Sequence, residues 1–378
     1  SSRRLRALPA SLPGLLFAAS DHDLVGGDRV MARRWVGPAL TALVLAGAAV
    51  LIVLMPRLTT EFRLGQFTYV AVYFIALLGL NILTGYNGQI SLGHAAFMAV
   101  GGYTAAVLIL GQEGFRLVGQ EPAGIIPEHG ITPIWTIPVA AVVTGIIGYL
   151  FGLPALRLAG VSLALATFAV AVSMPAIAKR FEHLTGGGGG LSLPLPEAPF
   201  GWDISPPHWL YYEAWVTAAI LFVVAWLLVR GRVGRAWRAI RDGEVAAVSS
   251  GVSPAVYKTL AFGISSAYAG VAGALFAIQT AYINPDTFPL SLSILLLASV
   301  VIGGLSSLSG VIVGALVLEF LPIYAQEPPV FDINFAKQAA PVVFGLVLML
   351  IVFLLPGGAA ALIRRLTRPI VAAASRRS

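Results

Sequence analysis

The chain contains no cysteine, and only 11% of its 378 residues are charged. The first absence excludes a disulfide framework and thiolate metal sites. The second bears on the solvent. A soluble globular domain carries about 25% charged residues, and so few here cannot cover a water-soluble body of this length. With 58% hydrophobic residues and a mean hydropathy of +0.87, the implied solvent is lipid. Lysine is scarce as well: only Lys179, Lys258 and Lys337 occur, and none follows a glycine. The Gly-x-x-x-x-Gly-Lys-Ser/Thr loop, whose amides and lysine cradle nucleotide phosphates, is therefore missing, and with it ATP hydrolysis by that route. Neither a His-Glu-x-x-His helix nor a nucleophile elbow is found, and five scattered histidines give no metal-ligand spacing. These absences point away from an enzyme and call for no cofactor.

What is present is a series of apolar runs. A hydrocarbon core about 30 Å thick needs roughly 20 apolar residues in a helix. Candidate spans fall at 36–55, 66–84, 89–111, 134–154, 158–178, 209–229, 259–281, 288–303, 306–321 and 338–356, which predicts an all-α polytopic bundle of about ten spans. Residues 288–321 form one apolar run too long for a single pass, divided at Gly303–Gly310. Arginines cluster at 29–34, at 230–241 and at 364–377, between apolar runs rather than on a basic face, so the net charge of +7 does not argue for nucleic acid. Cytoplasmic loops carry such an excess. Six spans separate the first cluster from the second and four the second from the third, so both termini fall on the cytoplasmic side. Domain limits follow: a disordered extension over 1–35, with Met31 a plausible start; a transmembrane domain over 36–356; and a basic tail over 357–378. The loops 112–133 and 179–208 fall outside. Trp202, Trp209, Tyr211, Tyr212 and Trp215, where the chain re-enters the membrane, read as an interfacial aromatic belt.

Carboxylates are nearly missing from the spans, with only Glu213 and Glu319 near ends. Buried carboxylates are the usual relays of ion-coupled transporters, so this scarcity argues against that class. Two glycine-rich segments, Gly85–Gly93 and Gly303–Gly310, predict broken or re-entrant hairpins and a weak internal repeat. Asn81, Gln89, Ser91 and His94 lie at the first of them. Polar groups at membrane depth line a path or tie helices together. Tying is the commoner role, with Ser91 then serving as a helix N-cap.

The longest polar insert on the inner side is RGRVGRAWRAIRDGEVAAVSSGVSPAVYK, residues 230–258. Arg235, Arg238 and Arg241 share one helical face, and Trp237, Ile240, Ala246 and Ala247 predict a short amphipathic helix. Gly251 is placed to end it in a left-handed cap, and Ser253-Pro254 to begin the next helix. A short exposed helix of small residues can seat in a partner's groove. The alternative is a basic loop lying on anionic lipid.

Glu244-x-Ala246-Ala247-x-x-x-Gly251 resembles the EAA loop of bacterial ABC importer permeases. The flanking Gly234-Arg235-Ala236-x-Arg238-Ala239-Ile240-Arg241 and Tyr257-Lys258-x-Leu260-Ala261-Phe262 narrow the likeness to high-affinity branched-chain amino acid importers. The stretch from Gly79 to His94 is similar to the signature of their LivM-type permease subunits, and Leu184–Leu191 and Gly303-Gly304-Leu305 with Gly310 agree. The likeness covers roughly 36–356. It implies a bacterial inner-membrane complex of this chain with a second related permease, two ATPase subunits and an external binding protein. The import of branched-chain amino acids is implied with it. Related permeases serve urea and short-chain amides. The resemblance makes Glu244, Ala246, Ala247 and Gly251 the contact through which ATPase closure reaches the helices, and Asn81, Gln89, Ser91 and His94 candidates for the path. Val248 departs from the acidic residue usual in this loop.

Overall fold

A computed structural model describes residues 52–117, 123–158, 160–196, 198, 204–326 and a few positions between 345 and 359. Contacts group Leu51–Arg365 into one compact unit. The extension over 1–35, most of the 36–55 and 338–356 spans, Trp202 and most of the basic tail lie outside the described residues.

Among the described residues, the predicted apolar runs are helices. They are α1 (Glu61–Leu80), α2 (His94–Leu117), α3 (Pro133–Ala155), α4 (Val161–Arg180), the single turn α5 (Glu182–Thr185), α6 (Pro206–Arg230), α7 (Arg232–Asp242), α8 (Glu244–Ser249), α9 (Pro254–Thr280), α10 (Leu290–Gly303) and α11 (Val311–Gln326). Prolines that lack an amide donor open α3, α6 and α9 in their first turn. Six helices among the described residues are long and apolar enough to cross a bilayer, namely α1, α2, α3, α4, α6 and α9. The divided 288–321 run gives two shorter helices, α10 of 14 residues and α11 of 16. At 1.5 Å per residue these reach only about 21 and 24 Å. Helix α2 begins at His94 rather than at 89, leaving Asn87–Gly93 irregular, and it is broken at Gly111, whose φ is 58°, where the expected span ends.

The interior is built from α1, α2 and α9, whose spans are 78%, 78% and 83% buried, against 22–28% for α3, α4 and α6. Lipid tails are as apolar as the helices, so close packing of small residues has to hold such a core. Helix α9 supplies it: Gly270 lies against Gly101, Gly273 against the Met98 carbonyl, and Ser266 against Gly148 of α3. A side chain at any of these glycines would overlap its neighbour. At one end of the bundle β1 (Leu191–Ser192) pairs antiparallel with β2 (Tyr282–Ile283). The glycine run before β1 includes a single 3-10 turn, Gly187–Gly189, and the Tyr282 hydroxyl donates to Gly189 O at 2.9 Å. The aromatic belt is partly corrected. Tyr211 and Trp215 are buried in the bundle, and Tyr211 donates to Ile52 O at 3.0 Å.

Candidate functional site

At the other end of the bundle, three sequence-distant segments meet. Helix α1 runs into a π-helical turn, Asn81–Tyr86, and then the irregular Asn87–Gly93 segment. The α10–α11 turn carries Gly304 at φ 106° and Ser306 at φ 61°. The loop after α6 supplies α7 and α8.

All four candidate path residues, Asn81, Gln89, Ser91 and His94, are buried within this chain. Asn81 joins the two glycine-rich segments. Its Nδ2 donates to Ser307 O at 3.1 Å, and its Oδ1 accepts from Ser306 N at 3.0 Å. Gln89 accepts from Asn87 Nδ2 at 2.5 Å. Ser91 Oγ accepts from Gly93 N at 3.3 Å, within its own segment. The first turn of α2 is instead capped from afar, by Ser293 Oγ of α10, which accepts from Ala95 N at 2.9 Å. Thr167 Oγ1 of α4 takes Leu92 N at 2.9 Å. His94 Nε2 lies 2.8 Å from Ser265 Oγ, which donates to Gly79 O at 2.7 Å. Because the serine proton is committed to that carbonyl, the histidine donates through Nε2–H, and Nδ1 is the bare nitrogen. Among the described residues Nδ1 has no hydrogen-bond partner. This chain of bonds ties the start of α2 and the end of α1 to the middle of α9. Replacing Ser293 with Ala removes the remote cap and should cost about 1 kcal/mol, read as a lower melting temperature of the detergent-solubilised protein.

The predicted amphipathic loop helix is two helices, divided at Gly243. Helix α7 buries Gly234, Ala236, Trp237 and Ile240. Trp237 is fully buried, and its Nε1 donates to Tyr257 O of α9 at 2.9 Å. Helix α8 turns only Ala247 inward. Glu244 and Ala246 are exposed, and so are Val245 and Val248, at 83% and 55%. Gly251 has φ 79°. Gly251 N donates to Val248 O at 2.9 Å and Val252 N to Ala247 O at 3.0 Å, the paired bonds of a Schellman cap. A Cβ at Gly251 would meet nothing within 4 Å. Ser253 does not cap α9 through its side chain. Lys258 Nζ lies 2.6 Å from Glu244 Oε2, tying α8 to the first turns of α9. The four loop residues therefore lie together on one short helix and its cap, with an apolar outward face.

The family description that matches residues 63–355 is that of the permease component of branched-chain amino acid transport systems. The chain belongs to this permease family. The permease is 33% identical over 300 residues to the LivM high-affinity branched-chain amino acid transport permease of Escherichia coli K12, covering 73% of this chain and 66% of that protein. The same figures hold for LivM of Salmonella typhimurium. A probable LivM of Methanocaldococcus jannaschii is 28% identical over 324 residues, covering 76% of this chain and 90% of that protein. The permease thus spans just under two thirds of its first two relatives. No solved structure matches it.

Sequence reasoning missed the residues that join this end of the permease together. Ser265, Ser293 and Thr167 carry no local signal, because their partners lie 75 to 198 positions away. Arg241 was visible as one member of a basic face and of the flanking motif, not as a tie between distant turns.

Proposed function

We propose that this chain is one membrane-spanning half of an ABC importer for branched-chain or related amino acids in the bacterial inner membrane. A second, related permease completes the path. Two cytoplasmic ATPase subunits drive it, and an external binding protein delivers the solute. The domain has about ten spans, with both termini and the α7–α8 elbow on the cytoplasmic side. Asn81, Gln89, Ser91 and His94 act on the path by holding its helix ends in place.

One observation carries this reading. Within a family of transport permeases, the 244–251 segment forms a short helix with an exposed, apolar outer face, seated by the buried Ala247 and tied to α9 by the Lys258–Glu244 pair. An exposed apolar face flanked by arginines fits a protein groove better than bulk water. The Val248 departure makes that contact apolar, since Glu244, the carboxylate in this segment, already has a lysine partner.

The absence of cysteine makes the test clean. A single Ala246→Cys permease, treated with a short bifunctional thiol–amine reagent in native membranes, should cross-link to an ATPase subunit. Ala247→Cys, buried, should not. Equal labelling of the two, or attachment to lipid alone, would favour a loop lying on the membrane. Import of urea or short-chain amides is the alternative on the substrate side, since related permeases serve those solutes. A ligand screen on the cognate binding protein decides it.

A further inference from the structure

Arg241 is the last arginine of α7, one residue before Asp242 and three before α8 begins. Its guanidinium reaches out of the elbow. Nη1 donates to Gly85 O at 2.8 Å, in the π-helical turn after α1, and to Ser306 Oγ at 2.6 Å, in the α10–α11 turn. Ser306 Oγ in turn donates to Gly85 O at 2.7 Å. The three groups close a triangle whose corners come from three separate parts of the chain.

Its surroundings are shaped to hold it. The aliphatic stem of Arg241 lies over Gly88, where φ is +78° and a Cβ would sit 2.8 Å from Arg241 Cγ. Ser306 takes a left-handed φ of 61°, a conformation that a non-glycine residue adopts only where its surroundings require it. Asn81 fixes that turn by accepting from Ser306 N. The remaining donors, Nε and Nη2, go to Asp242 Oδ1 at 3.1 and 3.0 Å, which fixes the plane of the guanidinium. Planar geometry with several fixed donors is what separates arginine from lysine in such a role.

On the proposed reading of this chain as an ABC permease, we infer that Arg241 is the positioning residue through which the elbow moves both glycine-rich turns as one. Helix α8 is tied to α9 by Glu244 and Lys258, and α7 to α9 by Trp237. Those ties carry motion into α9. Arg241 carries it to the ends of α1 and of the α10–α11 pair. Without it, the two turns stay joined to each other through Asn81, and to α9 through Ser265 and Gly79, but lose their direct tie to the elbow.

The test uses the full complex in proteoliposomes. The readouts are substrate imported, ATP hydrolysed and the KM for loaded binding protein. Arg241→Met keeps the stem over Gly88 and removes the donors. It should retain assembly, hydrolysis and KM while uptake falls about tenfold, the scale of one charged hydrogen-bond contact. Arg241→Lys should recover part of the loss. Ser306→Ala, a milder change, should give a smaller loss of the same kind, and the double variant should be no worse than Arg241→Met. Should Arg241→Met fail to assemble, Ser306→Ala alone decides. Unchanged ATP per solute in these variants, or losses that multiply in the double variant, overturns the inference. Gly251→Trp in the same assay separates the two readings. If it uncouples while the Arg241 and Ser306 variants stay normal, the permease reading stands and the clamp falls. If it too is normal, the coupling role of the loop fails first.

Discussion

Gly251→Trp should leave the permease inserted and the ATPase active, and should cut solute uptake at least about tenfold, equivalent to about 1.4 kcal/mol of lost coupling. Two properties of the site give this result. Gly251 sits at φ 79°, where an L-residue meets its own carbonyl, at a cost of about 1–2 kcal/mol. Among the described residues nothing beyond the local backbone lies within 4 Å of an added Cβ, so a side chain there starts into open space. On the proposed reading, an indole at the cap of α8 would meet the docking partner. Gly251→Ala separates strain from bulk. It carries the same φ cost without the ring, and its uptake should stay close to normal. Uptake and hydrolysis measured in parallel check both variants, and normal uptake from the Trp variant would remove this loop from the coupling path.

The second large effect is on folding. Gly273 of α9 rests against the backbone of α2 at Met98, carbonyl oxygen included. A backbone cannot swing aside as a side-chain tip can. Gly273→Leu should therefore force α9 away from α2 at a crossing between two of the most buried helices and destabilise the bundle by about 3 kcal/mol or more. In a membrane, loss of close approach also forfeits the packing that replaces hydrophobic drive. The expected observation is loss of a monodisperse peak on size-exclusion chromatography, or of the cooperative melt, with the chain still targeted to the membrane. Gly273→Ala should show a smaller defect in the same direction.

Much of this architecture was legible because spans are long and their ends are marked. Pro133, Pro206 and Pro254 open helices within a few residues of the expected boundaries, and Gly303 closes α10 where the long apolar run was divided. The left-handed cap at Gly251 followed from a glycine just past a short helical pattern. Three features were not legible, each for a physical reason. Gly243 divides the loop helix, because its extended backbone lets α8 leave the axis of α7. Hydrophobic periodicity over so short a stretch does not register such a break. Tyr211 and Trp215 belong to the core, since composition gives the depth of an aromatic ring but not which side of its helix faces protein. The ties that close this end of the bundle, His94 to Ser265, Ala95 to Ser293 and Arg241 to Gly85, join residues far apart in sequence, and local propensity holds no record of them.

Uphill transport with and without the ATPase subunits tests the account most directly. The two permeases, reconstituted with the binding protein into vesicles preloaded with ATP, should concentrate labelled branched-chain amino acid only when the ATPase subunits are present. Accumulation from the permeases alone, or under an ion gradient in the absence of ATP, would contradict it.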